Sequence, residues 1–352
     1  MQLIINTRGT SLRRRKERFL IRREGVTHEF AATKVTSIVV ATGAHFTSDV
    51  VQLAHQHNVD IVFLDRSGMP TARVWQTKMG STATIRRRQL EVCETNDGLQ
   101  FATEWVGGKL DNQIRFLQEL LKRRAESKLE IDSVVASLQQ LREKIADVDG
   151  DVTEQRGTVM GLEGTAGRIY FDCVSKLMPA DYTFSGRSRR PATDSFNAML
   201  NYSYGVLYSQ VEIALILAGL DPFVGFLHTD NYNKRSLVFD MIESFRIIAE
   251  RATVLFFTGR RIKKSFFREV PGGIELAPDG RAALIGNLNE RLDKAVKYPV
   301  QRTGKPGGKK FRRIKLRATF QHEAHALANR LLGKNDMPRI IETETLFAED
   351  ET

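Results

Sequence analysis

The change of pattern near residue 80 is the feature that most constrains the fold of this chain of 352 residues. Before it, short runs rich in β-branched and aromatic residues are separated by Gly, Asn and Asp, which is typical of strands and turns. After it, no proline occurs between Pro70 and Pro179, and apolar residues recur at helical spacing. We therefore predict an α+β protein, in which a β-rich N-terminal domain precedes a larger, mostly α-helical C-terminal domain.

The same patterns predict the domain limits, and the chain is long enough for two domains. Residues 1–85 hold the predicted strands and one helix, "TSDVVQLAHQH", with a Thr-Ser start suited to capping. We expect residues 1–85 to serve assembly, 86–100 to be a linker, 101–335 to form the helical domain with the candidate site, and 336–352 to be a tail. Further helices are predicted near 160–178, 193–219, 236–257, 281–296 and 313–334.

The charge balance favours a polyanionic partner. The chain has 53 Lys and Arg against 42 Asp and Glu, a net charge of +11, and nucleic acid is the commonest polyanion that such proteins bind. Solubility alone remains an alternative explanation of this charge.

Basic residues concentrate in two runs, at 12–23 and at 303–317. The second run, "TGKPGGKKFRRIKLR", predicts a flexible loop that leads into a helix. A solvated loop without a partner fits its composition as well as a DNA-binding loop does. In the second case its basic side chains would follow a phosphate backbone, and the candidates are Lys309, Lys310, Arg312 and Arg313.

Cysteine usage and hydropathy bear on the location of the chain. Cys93 and Cys173 form no CxxC pair, which argues against a zinc ribbon, and two thiols in a chain of this length suit a reducing cytoplasm. The longest apolar run, 211–220, is interrupted by Glu212 and is shorter than the roughly 20 residues that a bilayer requires. The N-terminus lacks the pattern of a secretory signal. We expect a cytoplasmic protein with no membrane partner.

Two acids lie in a segment that is otherwise apolar. "SLVFDMIESFR", residues 236–246, predicts a buried helix with Asp240 and Glu243 on one face. A buried carboxylate is costly unless it is paired or binds a metal ion. Glu243 has a possible ion-pair partner three residues later, Arg246, and a possible fellow metal ligand upstream, His228. The spacing leaves both alternatives open, and ion pairs are the commoner of the two.

A third carboxylate, Glu163, lies among glycines in "GLEGTAGRIYFDCV". A glycine inside a helix costs up to about 1 kcal/mol relative to alanine, and it is tolerated where a backbone or ligand must approach closely. Glu163 is therefore a candidate site residue. It could equally be an acid at a helix start, which suits the helix dipole.

These segments resemble a known family. "NAMLNYSYGVLYSQVEIALILAGLDPFVGFLHTDNYNKRSLVFDMIESFR", with "GLEG" upstream, is similar to the CRISPR-associated Cas1 proteins, and the resemblance extends over nearly the whole chain. It implies a DNA endonuclease and integrase that inserts short DNA duplexes, the new spacers, into a CRISPR array. In that reaction a 3′-hydroxyl attacks a phosphodiester, and water in its place gives nuclease activity.

The resemblance also implies the site. Glu163, His228 and Glu243 would bind a divalent metal ion, and Asp240 would be a catalytic neighbour, either as a ligand or as a supporting group. Two carboxylates and one imidazole suit Mg²⁺ or Mn²⁺, and the nitrogen ligand leans toward Mn²⁺. Some relatives carry Asp where this chain has Glu243.

Further residues are placed near DNA by the resemblance, namely Tyr204 and the arginines of "GRSRRP", Arg187, Arg189 and Arg190. A core tyrosine and a solvated basic run are the alternatives. The implied partners are double-stranded DNA, as captured duplex and as CRISPR repeat, a second copy of the chain, and the small protein Cas2, which would bridge two dimers into a hetero-hexamer. Two other functions compete: a DNA-binding scaffold whose acids form ion pairs only, and a nuclease for branched DNA in repair.

Overall fold

The computed structural model describes residues 1–64, 70–74, 81–122, 128–188, 191–229, 232, 234–300, 310–334 and 343–347. Within these ranges the N-terminal part consists of short strands and one helix. They are β1 (Gln2–Ile5), β2 (Ser11–Arg15), β3 (Arg18–Arg23), β4 (Val26–Ala31), β5 (Ser37–Val40), β6 (His45–Phe46), α1 (Ser48–Gln56), β7 (Asp60–Leu64) and β8 (Pro70–Arg73).

The strands form two four-stranded sheets, in the orders β1-β5-β7-β8 and β4-β3-β2-β6. In the first sheet β1, β5 and β7 are parallel and β8 is antiparallel to β7. In the second, β2, β3 and β4 are antiparallel neighbours. Alternating side chains such as Ile5 of β1, Leu12 of β2 and Phe19 of β3 are buried in one shared core, to which α1 contributes Leu53. The two sheets and α1 thus have a core of their own.

Most of the remaining described chain is helical, which confirms the predicted fold class. The helices are α2 (Thr82–Val92), α3 (Asn96–Leu121), α4 (Lys128–Ala146), α5 (Val152–Lys176), α6 (Ser195–Leu217), α7 (Ser236–Met241), α8 (Arg246–Thr258), α9 (Pro278–Leu292), α10 (Leu316–Leu331) and α11 (Thr343–Phe347). None of these helices, the ones the structure describes, is long and apolar enough to cross a membrane.

Within the described residues, two β-hairpins interrupt the helical part, and neither was predicted from the sequence. They are β9 (Phe267–Val270) with β10 (Gly273–Leu276), and β11 (Ala295–Val300) with β12 (Lys310–Lys315). The helix expected near 281–296 therefore ends at Leu292, and the described part of the basic run is a strand followed by α10. Val296 and Tyr298 are both buried, which is the alternation of a strand.

Residues 86–100, expected to be a linker, are mostly helical, because α2 and the first turn of α3 occupy them. Gln89 of α2 is fully buried. Its amide donates to the carbonyls of Asp221 at 2.8 Å and Val224 at 2.7 Å, and its oxygen accepts from the Asp221 N–H at 3.0 Å. Helix α2 is therefore bonded to the loop that leads to His228.

The single helix predicted over 236–257 is in fact three pieces. Helix α7 is followed by a 3-10 turn, Ile242–Phe245, and then by α8. Helix α3 packs against α4, α5 and this 3-10 turn. This packing brings Lys109 of α3, Glu163 of α5 and Glu243 of the turn to one place.

Candidate functional site

A buried lysine joins two of the predicted site residues. The ammonium of Lys109 contacts Oε1 of Glu163 and lies 2.8 Å from Oε2 of Glu243. The side chains of Lys109 and Glu243 are almost completely buried, whereas that of Glu163 is 30% exposed. The structure thus brings Glu163 and Glu243 together, as the resemblance implied, and places a cation of the chain itself between them.

The second oxygen of Glu243 is held by Arg246. The guanidinium donates from Nε to Oε1 of Glu243 at 2.8 Å, and its second nitrogen lies at the same distance. Arg246 also stacks over the ring of Tyr204 at 4.8 Å and donates to the hydroxyl of Tyr208 at 3.2 Å. The ion pair that the sequence left open is therefore present, and it fixes the orientation of the Glu243 carboxylate.

These cations decide the ionisation of the site. Burial opposes the charge of Glu243, but Arg246 and Lys109 outweigh it and lower the pKa of Glu243 to about 2. Burial likewise disfavours the ammonium of Lys109, and the neighbouring Glu243 and Glu163 raise its pKa above the usual value. Both groups are consequently charged at neutral pH, so the Glu243 carboxylate is ionised without requiring a bound ion.

The carboxylate of Asp240 has different partners. Its Oδ2 accepts the backbone N–H groups of Phe226 at 2.6 Å and Leu227 at 3.1 Å. Its Oδ1 accepts the N–H of His228 at 3.0 Å and contacts Nδ1 of the same residue at 2.6 Å. Asp240 and Glu243 are therefore both buried, as predicted, but they do not serve one common ligand.

The role that follows for Asp240 is to position His228. A carboxylate at Nδ1 fixes the proton of a neutral imidazole on that nitrogen, which leaves the lone pair of Nε2 for a ligand. His228 is also close enough for its positive charge, when protonated, to favour the ionised Glu243. The resemblance implied that Asp240 is either a metal ligand or a group that supports a ligand. Its contacts match the supporting group.

A glycine makes this arrangement possible. A Cβ on Gly225 would stand 2.7 Å from the carbonyl oxygen of His228 and 3.0 Å from Oδ2 of Asp240. The ring of the next residue, Phe226, packs against those of Phe101 at 5.3 Å and Trp105 at 5.7 Å, measured between ring centroids. The loop before His228 is thus packed tightly against α3 and α7, with no room for a side chain at position 225.

The donor types fit a divalent metal ion, but the side chains do not yet form a closed ligand set. Among the residues that the structure describes, no three His, Cys, Asp or Glu side chains stand close enough together to hold a metal. The ammonium of Lys109 lies between two of the candidate ligands, the carboxylates of Glu163 and Glu243. Glu163, Glu243 and Nε2 of His228 could hold an ion only after this ammonium has moved.

Arg187 and Tyr204, two of the residues expected near DNA, have partners inside the protein. Arg187 donates to Oδ1 of Asn201 at 2.7 Å, also contacts Asn197, and lies over the ring of Tyr204. Tyr204 is buried and its hydroxyl donates to Glu250 at 2.7 Å. This placement matches the core alternative for Tyr204 and leaves little of Arg187 for a ligand.

The other DNA-binding candidates divide into two groups. Arg189, Arg190 and Lys309 lie outside the described residues, and Lys310 is described only as the first residue of β12. Arg312 and Arg313 are exposed on β12, where they pair with Tyr298 and Lys297 of β11. They therefore project from a hairpin strand instead of from the flexible loop that we predicted.

Lys109 was not predicted as a site residue, although the pattern of α3 contains a signal for it. Three polar residues at helical spacing, Lys109, Asn112 and Gln113, are buried in α3. Asn112 donates to the carbonyl of Ser244 at 3.0 Å, next to Glu243. Polar residues at i, i+3 and i+4 in an apolar helix carry the same implication as Asp240 and Glu243, because each needs a partner in the core.

An N-terminal pair of sheets followed by a helical domain is also the architecture of solved Cas1 structures that this chain resembles. The model of the family "CRISPR associated protein Cas1" matches residues 3–290, and the chain belongs to this family.

Curated relatives agree with this assignment. "CRISPR-associated endonuclease Cas1 1" of Archaeoglobus fulgidus is 33% identical over 273 residues, which are 74% of this chain and 79% of the relative. "CRISPR-associated endonuclease Cas1 1" of Thermus thermophilus is 30% identical over 336 residues, 95% of this chain and 97% of the relative.

Solved structures share the fold. A chain of the "Partial Cas6-RT-Cas1--Cas2 complex" superposes with a TM-score of 0.76 at 22% identity, over 98% of this chain and 99% of that one. The "Casposase bound to integration product" gives 0.72 at 22% identity, over 96% of both chains.

Proposed function

We propose that this chain is a metal-dependent DNA endonuclease and integrase of CRISPR adaptation, which inserts short DNA duplexes into a CRISPR array. The observation that carries the proposal is the convergence of Glu163 and Glu243 on one cation, with His228 held nearby by Asp240. Membership of the Cas1 family and the names of the curated relatives, which are endonucleases, support the same activity.

Glu163, Glu243 and His228 are the residues that would hold Mg²⁺ or Mn²⁺ in this proposal. When bound, the ion would polarise the scissile phosphate and lower the pKa of the attacking 3′-hydroxyl or water. Arg246 keeps Glu243 ionised and oriented, and Asp240 holds Nδ1 of His228, so that Nε2 of the neutral ring faces the ligand with its lone pair. Because one phosphodiester replaces another in strand transfer, the chemistry needs no ATP.

Double-stranded DNA is the substrate in this proposal, and the net charge of +11 supports it. We further propose that the chain forms a homodimer through its β-rich N-terminal part and that Cas2 bridges two dimers. The fold is shared with a chain of the "Partial Cas6-RT-Cas1--Cas2 complex", which supports this assembly. The proposed integration reaction would take place in the cytoplasm.

A second candidate function has a specific observation in its favour. Lys109 and Arg246 already neutralise Glu163 and Glu243, as expected for a DNA-binding scaffold that has no metal and no catalysis. A scaffold and an integrase differ in their response to metal ions, so strand transfer and thermal unfolding with and without Mn²⁺ separate them.

The test uses strand transfer of a labelled duplex into a plasmid that bears the CRISPR repeat. Glu163→Gln is the sharpest variant, because its side chain is partly exposed and the amide preserves its size. We expect it to abolish transfer and cleavage, to lose the Mn²⁺-dependent rise in melting temperature, and to bind DNA as the wild type does. Glu130→Gln is the matched control, since Glu130 also pairs with a lysine, Lys176, but on the exposed surface.

His228→Ala and Glu243→Ala should abolish the reaction as well. Glu243→Ala also deprives two buried cations of the carboxylate they share, which costs roughly 3–5 kcal/mol of stability, so its DNA binding must be compared at a temperature where it is folded. A wild type that gains no stability from Mn²⁺, together with a Glu243→Ala variant that still integrates DNA, would favour the scaffold.

A further inference from the structure

Lys109 is an unusual residue to find at the centre of a cation site. Its side chain is 7% exposed, and its ammonium has two carboxylate partners, Glu163 and Glu243. A buried ammonium is costly unless it is closely paired. The two carboxylates supply that pairing, so Lys109 is itself the cation that makes their burial tolerable.

The charges near Glu243 are balanced without any added ion. Lys109 and Arg246 carry two positive charges, and Glu163 and Glu243 carry two negative charges. A divalent ion that shared these carboxylates would lie within a few ångströms of the Lys109 ammonium. Like charges at such a distance inside a protein repel strongly, so the ammonium and the ion cannot both occupy the position between the carboxylates.

The neighbours of the two cations indicate which one moves. Arg246 is fixed by Glu243, by the hydroxyl of Tyr208 and by the ring of Tyr204. Lys109 ends a flexible four-carbon stem, and its partner Glu163 is partly open to solvent. Movement of the ammonium toward the exposed side of the site needs no change in the backbone.

We propose that Lys109 is a positioning residue that holds Glu163 and Glu243 together in the metal-free protein and is displaced when a divalent metal ion binds between them. This inference rests on the metal site proposed above. Lys109 then has two effects of opposite sign: it stabilises the metal-free fold and it weakens metal binding by competition. A lysine with a merely structural role would produce only the first effect.

The experiment is a calorimetric titration of the DNA-free protein with Mn²⁺, for the wild type, Lys109→Met and Lys109→Arg, beside thermal melts with and without Mn²⁺. We expect Lys109→Met to bind Mn²⁺ at least tenfold more tightly than the wild type, which is about 1.4 kcal/mol. It should melt at a lower temperature without metal and gain more from Mn²⁺. Lys109→Arg keeps the charge and should bind no more tightly than the wild type.

Lys176→Met is the matched control. Lys176 pairs with Glu130 at 2.6 Å on the exposed surface, so the same substitution there should leave Mn²⁺ affinity unchanged. If Lys109→Met does not fold without metal, Lys109→Gln removes the charge and keeps a hydrogen-bond donor.

Equal or weaker Mn²⁺ binding by the uncharged variants would overturn the competition while leaving the metal site in place. Absence of Mn²⁺ binding by the wild type would overturn the metal site and this inference with it.

Discussion

Replacement of Asp240 by asparagine is a test of how the site is held. The carboxylate accepts the N–H groups of Phe226, Leu227 and His228 and contacts Nδ1 of His228, all within 3.1 Å. Asparagine preserves the size of the side chain and replaces one oxygen by an NH₂ group. With the remaining oxygen toward Phe226 and Leu227, the N–H of His228 loses its acceptor, and an unsatisfied buried donor costs about 1–3 kcal/mol.

The effect on function comes from the imidazole. The NH₂ group of asparagine donates to Nδ1 of His228, so the ring proton moves to Nε2, where it blocks a metal ligand. Loss of a supporting group of this kind typically lowers metal affinity or activity about 10–100-fold. Asp240→Asn should therefore retain part of its strand-transfer activity, and excess Mn²⁺ should restore part of the rest.

The assay compares strand transfer at limiting and at saturating Mn²⁺, beside calorimetric Mn²⁺ titration of the free protein. Asp221→Asn is the control, since Asp221 accepts the N–H of Phe223 at 3.0 Å in the same loop, in a more exposed position. Wild-type Mn²⁺ affinity and a wild-type rate at limiting Mn²⁺ in Asp240→Asn would refute the positioning role.

Three further outcomes are expected. Gly225→Ala should lose about 1–3 kcal/mol in urea unfolding through overpacking and gain less stability from Mn²⁺, since its Cβ would meet the His228 carbonyl at 2.7 Å; an unchanged midpoint would contradict this. Replacing Arg312 and Arg313 by Gln should flatten the log–log salt dependence of DNA affinity by about 0.9 for each phosphate that the variant no longer neutralises, and an unchanged slope would exclude β12 from the interface. Burial, with His325 and Arg312 nearby, lowers the pKa of His322 below its usual 6.5, so the unfolded chain takes up the proton first. Stability should then fall as the pH drops below 6.5, and urea unfolding at pH 7.5 and 5.5 should show a smaller fall for His322→Gln.

The burial of the two acids could be predicted from the sequence, but their partners could not. The apolar surroundings of Asp240 and Glu243 require both carboxylates to be paired, and they are. Their common face was an inference from α-helical geometry, which ends at Met241, where a 3-10 turn begins. In a 3-10 turn residues i and i+3 still lie on one face, so the turn alone does not separate the two acids. Their different partners are supplied by the loop before His228 and by Lys109 of α3, which no local spacing reveals.

The hairpin β11–β12 shows a second limit. Its two strands lie apart in the chain. In the antiparallel pairing, Ala295 faces Lys315 and Val300 faces Lys310. The segment "FRRIK" has too few apolar residues to show a clear strand alternation. Because it is rich in basic residues, we predicted a loop there. Pairing with β11 supplies the backbone hydrogen bonds that make this segment a strand. The residues of β12 alone therefore do not reveal it.

The loop 221–228 is fixed at both ends and in the middle. Gln89 of α2 bonds to Asp221 and Val224, Phe226 packs against two rings of α3, and Asp240 accepts the last three N–H groups. His228 is therefore placed by packed helices before any ligand arrives, and the cost of ordering it is already met by folding. Rearrangement on binding of the proposed metal ion would then fall on the partly exposed Glu163 and the flexible stem of Lys109. A site with one rigid half and one adaptable half can be stable with the Lys109 ammonium in place and would still accept the proposed ion.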